Sequence, residues 1–180
     1  MVDAYDKTIS ALSNKGMTVT VILLNDWNPN TPDLVYPGTQ KNSNAFYYMF
    51  NAETEAGFDQ TKAIASFLAQ HYSGDNPNYG KVSNWIIGNE INNQQWNYMG
   101  PMDLTNYVKA YQKAFRVIYT AIKSTNANDR VYFSLDYNWM NEIDGKLKYG
   151  GKEIVDSFNS IANTQGQMDW GLAYHHIHAP

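Results

Sequence analysis

Apolar positions change their period several times along this chain, and each change marks an element. Val2, Tyr5, Ile9 and Leu12 recur at helical spacing, and Gly16 stands where a C-terminal cap belongs, so residues 2–14 read as a helix. Residues 17–24 (MTVTVILL) are β-branched and apolar, which predicts a buried strand. An Asn- and Pro-rich stretch follows to about residue 51. Its run AFYYMF at 45–50 argues for packing rather than disorder. Residues 53–72 predict a second helix, with Phe58, Ala65, Leu68 and Tyr72 on or near one face, broken at Gly74-Asp75-Asn76-Pro77. A second strand is expected over 82–88. Asp103 then opens a long helix to about residue 124, striped by Leu104, Tyr107, Val108, Tyr111, Phe115, Ile118 and Ile122. Residues 131–136 predict a third strand, 152–162 a fourth helix with Ile154, Val155, Phe158 and Ile161 inward, and 169–175 a fourth strand.

Strands alternating with helices imply βαβ units and a parallel sheet. Two architectures satisfy that pattern, a doubly wound sheet and a (β/α)8 barrel. No Gly-rich phosphate loop follows any strand, which counts against nucleotide binding in a doubly wound sheet. Polar and aromatic residues follow every strand instead: Asn25, Asp26 and Trp27; Asn89 and Glu90; Asp136, Asn138 and Trp139; Tyr174, His176 and His178. Barrels draw their active sites from several strand ends on one face, so the fold expected is α/β, a partial (β/α)8 TIM barrel. A complete barrel takes about 250 residues. The 180 residues here read as a single domain, 1–180, covering the middle of such a barrel, strands three to six.

The second strand carries the most chemistry. Trp85-Ile86-Ile87 is a short apolar run that ends in Gly88 and delivers an amide and a carboxyl group, Asn89 and Glu90. A carboxyl group held against an apolar wall is pushed toward its neutral form, which suits a proton donor near neutral pH. Asn89 donates and accepts without titrating, so it can hold a hydroxyl-rich ligand beside the acid.

Composition narrows the partners. Hydrophobic residues make up 43% and charged residues 17%, enough for one sizeable core. The net charge of −4, with no basic run, argues against nucleic acid and against an anionic membrane surface. No apolar run is long enough to span a bilayer. Cysteine is absent, which removes disulfides, thiolate metal sites and thiol nucleophiles and leaves the compartment open. No charged-then-apolar leader opens the chain, as would also hold for a trimmed secreted protein, so an extracellular or periplasmic location stays open. Aromatic residues reach 14%, with 14 Tyr and 5 Trp, and Asn occurs 21 times. Aromatic faces stack on sugar rings and amides pair with hydroxyls, although Asn also serves turns and caps.

The Asn89-Glu90 pair after its apolar run, and the aromatic, His-containing end of the last strand, resemble the clan A glycoside hydrolases. Residues 169–175 (DWGLAYH) also resemble an uncharacterised bacterial family of glycosidase-like barrels. The resemblance implies a hydrolase of O-glycosidic bonds in a carbohydrate, with Glu90 as general acid/base and Asn89 on the sugar hydroxyl beside the reacting carbon. It implies no cofactor. Asn25, Trp27, Asp136, Trp139, Tyr174, His176 and His178 become candidate sugar contacts, with Trp96 as a further platform. The nucleophile of that family is a Glu ending strand seven, so it is expected outside these residues. Asp26 and Asp136 remain lesser candidates for a second carboxylate.

Two rival readings follow from the residues. His176 and His178 point the same way in an extended strand and form a His-x-His pair, so a metal-dependent hydrolase is one rival. The ligand set is incomplete, and no bound metal is expected. The other rival is a carbohydrate-binding or inactive barrel fragment, which would tolerate Glu90→Gln. Four strands of eight leave open edges, so self-association or pairing with the missing barrel strands is expected.

Overall fold

The computed structural model describes residues 2–140 and 144–176. The elements run α1 (Asp3–Ser13), β1 (Thr20–Leu23), α2 (Glu55–His71), β2 (Asn84–Ile87), α3 (Leu104–Thr125), β3 (Arg130–Leu135), α4 (Gly151–Thr164) and β4 (Trp170–Tyr174), with a one-turn 3-10 helix at Pro32–Leu34 between β1 and α2. Each strand and helix lies within three residues of its sequence expectation at either end.

All strand pairs are parallel, and the sheet order is β1-β2-β3-β4. A doubly wound sheet reverses its order at a switch point, whereas a barrel adds each new strand on the same side of the last. The strictly sequential order is therefore that of a partial (β/α)8 barrel.

Local chemistry explains where the helices begin. Thr54 caps α2 by accepting from the Gly57 amide at 3.1 Å, and Asp103 caps α3 by accepting from the Asn106 amide at 3.0 Å. Each cap satisfies an amide that the first helical turn leaves open. The capping bonds also hold the Asp103 carboxyl below its usual range.

The core lies between the sheet and α2, α3 and α4. Phe115 of α3, Phe133 of β3 and Phe158 of α4 are fully buried and meet at ring-centroid distances of 4.9 and 5.1 Å around Phe158. Burying each such ring contributes about 1.5–3 kcal/mol. Trp170 stacks on Phe133 at 5.1 Å and ties β4 to the same cluster.

Strand parity then divides the sheet. Val131, Phe133 and Leu135 face the helices, so Tyr132 and Ser134 face the other way. Gly171 pairs with Tyr132 in register, and a Cβ there would come within about 2.4 Å of the Tyr132 ring. Gly171, Ala173 and the residue after β4, His175, therefore share the helix-free face with Tyr132 and Ser134. On β1 the same parity leaves Ile22 exposed. Among the described residues, no helix is long and apolar enough to cross a membrane.

Candidate active site

The end of β2 is pinned from three sides. Gly88 adopts φ +74°, a left-handed conformation that turns the chain off the strand, and its amide still donates to Leu23 O at 2.9 Å. From α3, the Tyr111 hydroxyl donates to Ile87 O and the Tyr107 hydroxyl to Ile91 O, each at 2.6 Å. Burial pushes both phenols far above their usual range, so they remain protonated donors across all ordinary pH. From β3, the fully buried Ser134 accepts from the Glu90 amide through Oγ at 2.9 Å and from the Ile91 amide through its carbonyl at 3.0 Å.

Glu90 is held between these anchors at φ +42°, and among the described residues no other non-glycine has a positive φ. A left-handed L-residue costs about 1–2 kcal/mol. Strain of this kind persists where surrounding structure over-determines it, and it concentrates at functional sites. The Glu90 carboxylate meets His175, Oε1 to Nδ1 at 2.8 Å. His175 is itself placed by its amide, which donates to Leu135 O at 2.9 Å and extends the β3–β4 ladder by one residue. The Glu90 side chain retains 19% of its exposure and that of His175 36%, so a ligand can reach both. The partner of the carboxylate is thus a polar ring, not only the apolar wall expected from the sequence.

Asn89 is half-buried, and among the described residues its side-chain amide makes no hydrogen bond. It is free to meet a ligand next to Glu90. Trp27 lies half-buried beyond β1, its ring 5.5 Å from that of Tyr48. Trp139 stands beyond β3 and meets Tyr174, at the end of β4, edge-on at 5.7 Å. The Tyr174 hydroxyl donates to Tyr137 O, and its ring faces His176 at 6.1 Å. Trp96 packs on Phe46 at 4.7 Å and on Tyr47 at 6.3 Å.

Two of the expected contacts are occupied internally. Asn25 is buried and donates to Leu34 O at 2.8 Å, which folds the long loop after β1 back on itself. Asp136 is buried as well. One carboxylate oxygen accepts from Asn92 Nδ2 and from the Asn138 amide, and the other accepts from Asn138 Nδ2 at 3.2 Å. The Asp26 carboxylate is exposed and accepts from the Trp27 amide. His178 lies outside the described residues. Among the described residues, no three His, Cys, Asp or Glu side chains converge as a metal-ligand set.

Over residues 1–180 the sequence matches a family described as a family of unknown function, DUF5722. The chain belongs to that family. No curated protein matches it. Among solved structures, this DUF5722 chain is similar to the Bacillus subtilis mannanase BCman, with a TM-score of 0.50 and 14% sequence identity. The similarity covers 76% of this chain and 41% of the mannanase. At that identity the likeness speaks to the fold, and it agrees with the barrel order of the strands.

His175 stood out in the sequence as one of three histidines at the end of the last strand, but nothing there paired it with Glu90. His176 and His178 drew attention as a His-x-His pair, but parity on β4 turns His175 toward the face of Ser134 and Glu90. The signal was present, since counting in steps of two from Gly171 reaches Ala173 and then His175.

Proposed function

We propose that this protein is a glycoside hydrolase in which Glu90 is the general acid/base. The observation that carries the reading is the conformation of Glu90. Its carboxyl group is aimed from a strained, left-handed backbone at the C-terminal end of a barrel strand, with a histidine on one oxygen and solvent access to the group. Glu90 protonates the glycosidic oxygen as a second carboxylate bonds to the anomeric carbon and the bond from that carbon to the oxygen breaks. In the second half-reaction the Glu90 carboxylate takes a proton from the water that attacks the same carbon and displaces the second carboxylate. Asn89, with its uncommitted amide, binds the hydroxyl beside the reacting carbon.

Trp27, Trp139, Tyr174 and His176 serve as sugar contacts on the rim, whereas Asn25 and Asp136 hold the loops that carry them. A retaining mechanism needs a second carboxyl group about 5–5.5 Å from the first. Asp136 is committed to Asn92 and Asn138, so we assign the nucleophile to a further barrel strand beyond the four described. Residues 1–180 act as one unit of that barrel.

The test is hydrolysis of aryl glycosides by Glu90→Gln and Glu90→Ala variants of the whole protein. General acid–base catalysis contributes about 10²–10⁴-fold, and a loss of that size is expected. Azide should rescue the Ala variant with retained configuration. Activity within a few-fold of the parent would refute the assignment.

A further inference from the structure

Away from Glu90, a cleft of about 270 Å3 opens between the loop after β1 and the loop after β2. Asn42, Asn44, Asn93 and Gln95 line it, together with Tyr98 and, from the loop after β3, Leu147 and Lys148. The oxygens of two of these amides are used locally: Asn42 Oδ1 accepts from the Asn44 amide at 2.9 Å, and Asn93 Oδ1 accepts from the Gln95 amide at 3.1 Å. Among the described residues their NH2 groups donate to nothing. The cleft therefore carries two fixed amide donors whose positions are set by the turns they close, with the Lys148 ammonium as a further donor.

The same two loops hold an exposed aromatic surface. Phe46 keeps 53% of its area in water although its ring lies 4.7 Å from Trp96, and the Phe46 amide donates to Gln95 O at 2.8 Å. An aromatic ring that is locked in place and still exposed offers stacking area at little ordering cost. Neutral amide donors beside a ring face match the chemistry of a sugar, which presents hydroxyls at its edge and an apolar C–H face.

The other side of Glu90 has its own ring pair. Trp139 and Tyr174, 36% and 37% exposed, stand at the ends of β3 and β4, whereas Phe46 and Trp96 belong to the loops after β1 and β2. Glu90, at the end of β2, lies in the order of the sheet between β1, which leads to Phe46, and β3 and β4, which lead to Trp139 and Tyr174. Strands are spaced by about 4.8 Å, so Phe46, after β1, and Tyr174, at the end of β4, belong to strands about 14 Å apart, more than the width of one sugar ring.

We infer that the amide-lined cleft beside Phe46 and Trp96 is a distal sugar subsite, and that the substrate is an extended glycan lying across the strand ends with sugar units on both sides of Glu90. The inference rests on the glycosidase reading for the cleavage itself, but binding at the subsite is separable from it.

The experiment uses the whole protein with Glu90→Gln and titrates it calorimetrically with β-1,4-linked gluco-, manno- and xylo-oligosaccharides of one to six units. Affinity is expected to rise about tenfold or more, about 1.4 kcal/mol, between one and four units in at least one series. Adding Trp96→Ala should remove that rise. Where Trp96→Ala lowers the melting temperature, Gln95→Ala, on an exposed side chain, takes its place. Equal affinity at every length, no binding in any series, or a length dependence that survives both substitutions would overturn the subsite. A length-dependent affinity in a protein that hydrolyses no glycoside would retain the subsite and reject the glycosidase.

Discussion

His175 Nδ1 lies 2.8 Å from Glu90 Oε1, and this pair joins the ends of β4 and β2 across the strand between them. Two strand spacings, about 10 Å, separate their backbones. The two side chains close that gap over β3, where Ser134 fixes the Glu90 amide from below. Three consecutive strands thus determine where one carboxyl group points. In the glycosidase we propose, His175 would act through Glu90 as a positioning residue.

His175→Ala should therefore lower kcat on aryl glycosides by about 10²-fold, the penalty typical of a catalytic group misplaced by about 1 Å. KM should change much less, because the sugar contacts on the rim remain. His175→Gln keeps a side-chain donor in reach and should recover part of the loss. Steady-state kinetics of the two variants, with melting temperatures to exclude unfolding, checks both statements. Equal activity of the Ala variant and the parent would remove His175 from the site.

The left-handed backbone at Glu90 gives a second prediction. An L-residue at φ +42° carries a steric cost that glycine does not. Glu90→Ala and Glu90→Gly both lose the His175 contact and the carboxyl group. They differ in that only the Gly variant relieves the strain. The Gly variant should be more stable than the Ala variant by about 1 kcal/mol, and both should be inactive. Urea denaturation of the pair measures the difference directly. Ala equal to or above Gly in stability would mean that the φ is not strained.

Much of this was legible in the sequence, for reasons that differ by residue. The apolar run Trp85-Ile86-Ile87 ending at Gly88 identified β2 because a strand buried on both faces has no polar alternation. The sequential βαβ pattern identified a barrel. The pairing of Glu90 with His175 was hidden because it depends on which face each residue takes after its strand has ended. The φ of Glu90 was hidden because glycine, not glutamate, signals a left-handed turn, and Gly88 two residues earlier supplied an apparent explanation. Asn25 and Asp136 stood at strand ends and looked like ligand contacts. Long loops need internal anchors, however, and a buried amide or carboxylate close to backbone carbonyls and amides is drawn into that role first. The abundance of Asn divides the same way, with Asn25, Asn51, Asn92 and Asn97 buried as loop anchors and Asn44 left on the rim.

Asp129 supplies a prediction far from Glu90, on the stability of the fold. It precedes β3, is almost fully buried, and accepts from Trp85 Nε1 at 3.0 Å. Burial raises its carboxyl above the ordinary value of 3.8, and the Trp85 bond together with Lys81 and Lys123 offsets the rise only in part. Between those two values the folded protein binds more protons at this position than the unfolded chain does. The contribution of Asp129 to stability is therefore fully present below 3.8 and is lost as the pH rises through the folded value. Asp129→Asn keeps an acceptor for Trp85 and removes the charge. Its melting temperature relative to the parent should increase from pH 3 to pH 7, with the change falling between 3.8 and the raised folded value. Thermal unfolding followed by circular dichroism across that range tests the sign. A difference that stays flat, or falls with rising pH, would show that the buried carboxylate is fully compensated by its partners.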